Sequence, residues 1–129
     1  MEKKKIILCD TNILIDLFHG DDCVTQELDY LTFDRLAVSV VSVAEIYFGM
    51  RKREAAVTKD LVRKFNHLHL DKEISKLFIQ FVLGYKDMRI GIPDALIAAT
   101  ALVNNVELYT HNRKDFDFID NLKLYNPRF

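Results

Sequence analysis

The run Ile6-Ile7-Leu8-Cys9, entered from Lys5, is apolar at every position and shows no alternation with polar residues. A strand with one wet face alternates. An unbroken run belongs to a strand covered on both faces, which requires a sheet with further layers above and below it. Leu36 to Val41 reads as a second buried strand, rich in β-branched residues. Val106 to Thr110 reads as another, with shorter candidates at His67 to Leu70 and, at an edge, Leu122 to Tyr125. The intervening segments have helical spacing. Thr11 or Asn12 can cap a helix through Phe18 that Gly20 stops, and Val24, Leu28 and Leu31 mark a second. Ser42 followed three residues on by Glu45 has the pattern of a capping box, opening a helix through Ile46, Phe48 and Met50. Ala55 to Phe65 is a basic-faced helix, and Ile74 to Tyr85 is amphipathic through Ile74, Leu77, Phe78, Phe81 and Val82. Pro93 suits the first position of an alanine-rich helix ending near Asn104 and Asn105. Strands alternating with helices predict an α/β sandwich with a mainly parallel central sheet, one domain over residues 1–129.

Four carboxylates stand where these elements begin or end. Asp10 closes the first strand, Glu45 lies early in a helix, Asp94 follows Pro93, and Asp115 follows the last buried strand. Each has a plain structural reading. Asp10 can be an N-cap, Glu45 a capping-box residue, Asp94 a favourable charge at a helix N-terminus and Asp115 a turn residue. In a parallel α/β sheet, however, ligands bind beyond the C-terminal ends of the strands, and acids delivered there converge. Asp10 and Asp94 adjoin the most apolar segments and have no basic residue adjacent in sequence. Unpaired buried acids are costly, and a hard divalent cation is the natural remedy.

The rest of the chain adds exclusions. A net charge of −1 offers no global attraction to nucleic acid, although Arg51, Lys52, Arg53, Lys59, Arg63 and Lys64 cluster in one stretch. That cluster is either a solvated helix face or a phosphate-binding rim. Two cysteines, Cys9 and Cys23, make neither a disulfide framework nor a metal-ligand spacing, so a reducing compartment is expected. Lys3-Lys4-Lys5 is followed by too short an apolar run for a signal peptide, and Ala95 to Val103 is too short to span a bilayer. A soluble cytoplasmic protein with no membrane partner is expected.

Four segments together resemble one family. Ile7-Leu8-Cys9-Asp10-Thr11-Asn12, then Ser39-Val40-Val41-Ser42-Val43-Ala44-Glu45-Ile46 with Gly49, then Pro93-Asp94-Ala95-Leu96-Ile97-Ala98-Ala99, then Leu108-Tyr109-Thr110-His111-Asn112-Arg113-Lys114-Asp115-Phe116 occur in the order and spacing of PIN-domain ribonucleases. Within that family the chain resembles the VapC-like toxins of toxin–antitoxin pairs. The resemblance implies a PIN-like three-layer sandwich in which Asp10, Glu45, Asp94 and Asp115 hold one or two Mg²⁺ or Mn²⁺ ions. It gives Thr11, Asn12, Thr110 and Asn112 supporting positions, and makes Asp117 a candidate extra acid. It also implies an RNA substrate, a cognate antitoxin and a homodimer.

An oxygen-only ligand set suits Mg²⁺ or Mn²⁺ and disfavours zinc. Such an ion lowers the pKa of a bound water and clamps the scissile phosphate, leaving a 5′-phosphate and a 3′-hydroxyl. No histidine is needed: His19, His67, His69 and His111 are scattered. Other classes fit less well. A phosphatase working through an aspartyl-phosphate expects a second Asp where Asn12 stands, and a phosphoacceptor receiver domain expects adjacent acids at the first strand. Glycine-rich phosphate loops are absent. The alternative on the same fold is a catalytically silent PIN-like module binding RNA or protein, which can afford to lose an acid; this chain keeps all four.

Overall fold

Ile7, Leu8 and Cys9 are at most 1% exposed, as a strand enclosed on both faces requires. They form β1 (Ile7–Cys9) in a computed structural model that describes residues 5–129. β2 (Leu36–Ser39), β3 (Asn66–Leu68) and β4 (Glu107–Tyr109) complete a sheet of order β3-β2-β1-β4. Every pairing is parallel, with Ile7 opposite both Leu36 and Glu107, and Cys9 opposite Tyr109. The chain therefore steps outward from β1 to β2 to β3, then returns to place β4 on the other side of β1. That reversal creates a topological switch point between β1 and β4, where open parallel sheets form their crevice.

Six helices cover the sheet: α1 (Thr11–Phe18), α2 (Asp22–Leu31), α3 (Val40–Gly49), α4 (Ala55–Arg63), α5 (Lys72–Tyr85) and α6 (Ile92–Val103). Side-chain alternation along β1 divides the core in two. Ile7 and Cys9 face a cluster with Leu14 of α1, Leu28 of α2, Ile46 of α3 and Val62 of α4. Leu8 faces the opposite cluster, with Ile74 and Phe81 of α5 and Ala95, Ala98 and Ala99 of α6. The run of small alanines lets α6 lie close to the sheet. The expected three-layer architecture is the observed one.

Three local expectations are revised. The chain leaves β2 at Ser39, so α3 starts at Val40 and Ser39 is its cap: Ser42 N–H donates to Ser39 Oγ at 3.1 Å. Ser42 is thus inside the first turn, and Glu45 makes no capping box. α1 is capped by Asp10 rather than Thr11 or Asn12, with Asp10 Oδ1 accepting from Thr11 N–H at 2.8 Å. The expected edge strand at Leu122 to Tyr125 shrinks to a single parallel bridge between Leu124 and Leu108, held by Leu108 N–H to Lys123 O (2.9 Å) and Tyr125 N–H to Leu108 O (2.8 Å). Gly20 does stop α1, with a φ of +74° that glycine adopts without strain. Lys3 and Lys4 lie outside the described residues.

Candidate active site

Asp10 is placed by β1 itself. Its backbone N–H continues the ladder to Tyr109 O at 2.9 Å, and its side chain is only 4% exposed at the switch point. Both carboxylate oxygens are engaged: Oδ1 caps α1, and Oδ2 accepts from Thr110 Oγ1 at 2.8 Å. Thr110 is in turn held by Asn112, whose backbone N–H donates to Thr110 Oγ1 at 3.0 Å. Asn112 thus meets Thr110 through its main chain. Asn112 O also accepts from Asp115 N–H at 2.9 Å, which ties the short 3-10 turn Arg113–Asp115 to the end of β4.

Glu45 is brought in by α3 and steadied by a chain of hydroxyls. Thr11 Oγ1 lies 2.9 Å from Glu45 Oε1 and 2.8 Å from Ser42 Oγ, and Ser39 Oγ lies 3.3 Å from Ser42 Oγ. A carboxylate only accepts and a hydroxyl has one proton to give. Thr11 therefore donates to Glu45 and receives from Ser42, which receives from Ser39. In the sequence Ser42 was legible only as a cap and Ser39 only as part of a strand; their polar line is made by packing α3 against α1.

Asp94 sits in the first turn of α6, half-buried, with Gly91 behind it. A Cβ at Gly91 would stand 3.3 Å from Asp94 Oδ2, so any other residue crowds the carboxylate. Asp115 is exposed at the end of its turn, and Asn12 is exposed in the first turn of α1. Asp117 is exposed and absent from the charges that act on Asp10 or Asp94.

The four acids share one electrostatic neighbourhood. Burial raises the Asp94 carboxyl to about 6, and the charges of Asp10, Asp115 and Glu45 push in the same direction. Burial also raises Asp10; the hydrogen bonds from Thr110 and Thr11 pull it back, and Glu45 and Asp115 raise it again. Among the described residues the ion pairs are Arg63–Asp60, Lys76–Glu73 and His111–Asp16, so none of the four acids has a basic partner. Nor do three His, Cys, Asp or Glu side chains among the described residues close into a ready-made metal cage. Four carboxylates without a counter-ion gain nothing by approaching further. Their donor type, charge and shared field fit a hard divalent cation, whose arrival would remove the repulsion.

Two cavities flank the acids. One, of about 460 Å³, has Glu45 in its wall with Ile15, Phe18, Ile46 and Met50. The other, of about 270 Å³, is bounded by Asp94 and Asp115. No helix among the described residues is long and apolar enough to cross a membrane.

The PIN domain model matches residues 7–122. Ribonuclease VapC10 of Mycobacterium tuberculosis is 35% identical over 124 residues, spanning 92% of this chain and 91% of the relative. Ribonuclease VapC1 of Methanocaldococcus jannaschii is 30% identical over 127 residues, spanning 93% and 87%. A chain of a toxin–antitoxin complex from Klebsiella pneumoniae superposes with a TM-score of 0.78 at 33% identity, over 90% of this chain and 94% of that one. A family match over nearly the whole chain, with relatives of this likeness, leaves one assignment: the chain belongs to the PIN-domain family, beside its VapC members.

Proposed function

We propose that this chain is a Mg²⁺- or Mn²⁺-dependent endoribonuclease and the toxin of a toxin–antitoxin pair, with Asp10, Glu45, Asp94 and Asp115 as its metal-binding and catalytic acids. The observation that carries this is the shared field of four base-free carboxylates brought together from four separate parts of the chain. The VapC relatives, named ribonucleases, and the toxin–antitoxin complex it superposes on supply the class of substrate and of partner.

When bound, the divalent ion supplies an activated water and a clamp on the scissile phosphate. The chain does the rest. Asp10 is held at both oxygens, which fixes its orientation, and with Glu45, Asp94 and Asp115 it would hold the ion. Thr11 orients Glu45 by a hydrogen bond, and Gly91 leaves Asp94 the space to turn toward Asp10. Asp115, on a turn tied to β4, completes the set from the solvent side. Arg51 lines a cavity with Glu45 and Lys114 one with Asp94 and Asp115; both are exposed and offer the phosphate contacts an acidic pocket lacks.

Inhibition follows from the larger cavity. It continues past Phe18, Glu54 and Thr58 into a second, of about 450 Å³, walled by Leu17, Val57 and Leu61. Together they form a groove in which Ile15, Leu17, Phe18, Val57 and Leu61 stand among Glu45, Arg51, Arg53 and Glu54, with Phe48 96% exposed on α3, the helix that forms one wall. An amphipathic antitoxin helix fits such a groove, and a basic side chain on it would meet Glu45. A homodimer is expected alongside, using the apolar side chains exposed on α5, Ile79 and Leu83.

The test is cleavage of a labelled RNA pool with Mn²⁺ by the chain and by Asp10→Asn, with folding followed by circular dichroism. Metal-dependent cleavage that the variant loses while staying folded is the expected result. Full activity in Asp10→Asn overturns the site; a chain that is harmless on expression, monomeric, and binds no product of a neighbouring gene overturns the toxin reading.

A further inference from the structure

The smaller cavity has a composition that the four-acid site does not explain. Asp94 and Asp115 share its wall with two cations, Arg89 and Lys114, and with Met88 and Phe118. Neither cation is in an ion pair among the described residues, although two carboxylates share their cavity. Both are exposed, and Arg89 stands at the turn between α5 and α6 with a left-handed φ of +59°. Phe118 is half-buried, with one side set edge-on against Tyr85 at 5.3 Å between ring centres. At about 270 Å³ the space is just below the range of drug-sized pockets, enough for one nucleotide unit and no more.

We infer that this cavity is a subsite for the nucleotide beside the scissile bond of a single-stranded RNA, with Arg89 and Lys114 on its phosphate and Phe118 and Met88 against its base. The nature of the strand rests on the ribonuclease reading above; the subsite itself rests on the cavity. An RNA strand approaching four carboxylates is repelled by them, so its phosphates need cations close to the cleavage point. Arg89 and Lys114 are the cations in this wall, and they share it with Asp94 and Asp115, so a phosphate bound there is a near neighbour of the reacting one. A guanidinium presents paired donors to phosphate oxygens, and Lys adds a point charge. Unpaired bases stack on aromatic rings and on soft apolar side chains, which is how single strands are gripped. The cavity on the Glu45 side is the larger, opens into a second and suits a helix, with Ile15, Phe18 and Met50 among Glu45, Arg51 and Glu54; this side, small and with two cations and one ring, suits a nucleotide.

The experiment uses the full chain in EDTA, where cleavage is stopped, and a fluorescein-labelled single-stranded RNA of mixed sequence followed by anisotropy. Arg89→Gln combined with Lys114→Gln is expected to weaken binding about tenfold. The slope of log Kd against log salt should also fall, by about 0.7 for each phosphate no longer neutralised. Lys72→Gln with Lys76→Gln makes the same charge change on the first turns of α5 and should leave both quantities nearly unaltered. Phe118→Leu should weaken binding by about fivefold or more without changing the slope. An equal loss in the α5 control, or no loss in the cavity variant, overturns the subsite. Cleavage by the unaltered chain is read separately with Mn²⁺. If that cleavage is absent while binding still depends on Arg89 and Lys114, the nuclease reading fails and the subsite stands. If cleavage is present and binding ignores both residues, only the subsite fails.

Discussion

Thr110 Oγ1 sits between Asp10 Oδ2 and the Asn112 N–H, so one hydroxyl links the end of β4 to the end of β1. Thr110→Val keeps the shape and removes the donor, leaving a buried carboxylate oxygen bare. A partner of this kind typically contributes 10–100-fold in metal affinity, so about that loss is expected, read by Mn²⁺ titration of a melting curve. Asp94→Asn should behave differently. It removes a carboxyl already raised to about 6 by burial and by three neighbouring acids, so the metal-free protein should melt higher at neutral pH. Cleavage should fall by more than the loss in Thr110→Val, since a ligand rather than its support is gone. A lower melting temperature for metal-free Asp94→Asn would count against the shared field.

At the scale of elements, the start of α3 fixes the reach of Glu45. Ser39 caps that helix and also begins the line of hydroxyls through Ser42 and Thr11. Ser39→Ala should cost about 1 kcal/mol through the lost cap. It should also blunt activity more than an equally destabilising change elsewhere, which steady-state kinetics beside thermal melts can separate. A second buried carboxylate has a different task. Glu27 of α2 is 0% exposed and accepts from Tyr125 Oη and from the backbone N–H groups of Arg128 and Phe129 at 3.0 and 3.2 Å. It pins the C-terminal segment onto α2, and Arg113, whose guanidinium donates to Tyr125 O at 3.1 Å, carries that anchorage to the turn bearing Asp115. Tyr125→Phe should cost about 1.5–3 kcal/mol, the worth of a hydrogen bond to a charged group, measured by denaturant melts.

For the molecule as a whole, a net charge of −1 conceals a local concentration of charge, with Asp10, Glu45, Asp94 and Asp115 sharing one field and Arg51, Arg89 and Lys114 in the cavities beside it. The pH dependence of the metal-free protein follows. An acid whose folded pKa is raised holds its proton longer when folded, so its contribution to stability is full below the unfolded pKa and is lost as pH climbs through the folded one. For Asp94 that window runs from the ordinary 3.8 to about 6, and Asp10 acts in the same sense. Melting temperature in EDTA should fall across this window unless other titrations offset it. Saturating Mn²⁺ at neutral pH should reverse the loss, adding about 2.7 kcal/mol at a hundredfold excess over Kd. An unchanged melting temperature with Mn²⁺ would remove the metal from the mechanism.

Local pattern was enough for the layered fold, because β1 is apolar throughout and β2 up to Ser39, and only a doubly covered sheet accepts such strands. It also drew attention to Asp10, Asp94 and Asp115, each beside an element boundary, whereas Glu45, inside α3, stood out only as a capping-box candidate. Pattern failed where two local rules competed. Ser39 and Ser42 both cap well, and only the point at which β2 stops pairing decided for Ser39, which moved Glu45 out of a capping box and toward Thr11. Leu122 to Tyr125 has strand-like residues, yet the main-chain bonds it makes to Leu108 leave it a single bridge. Gly91 behind Asp94 and the cavity shared by Arg89 and Lys114 had no signal in the chain at all, and the Thr110–Asp10 bond across 100 residues was foreshadowed only by the family resemblance. They depend on distances between segments remote in sequence, and those distances exist only once the sheet has ordered its strands 3-2-1-4 and brought their ends to one edge.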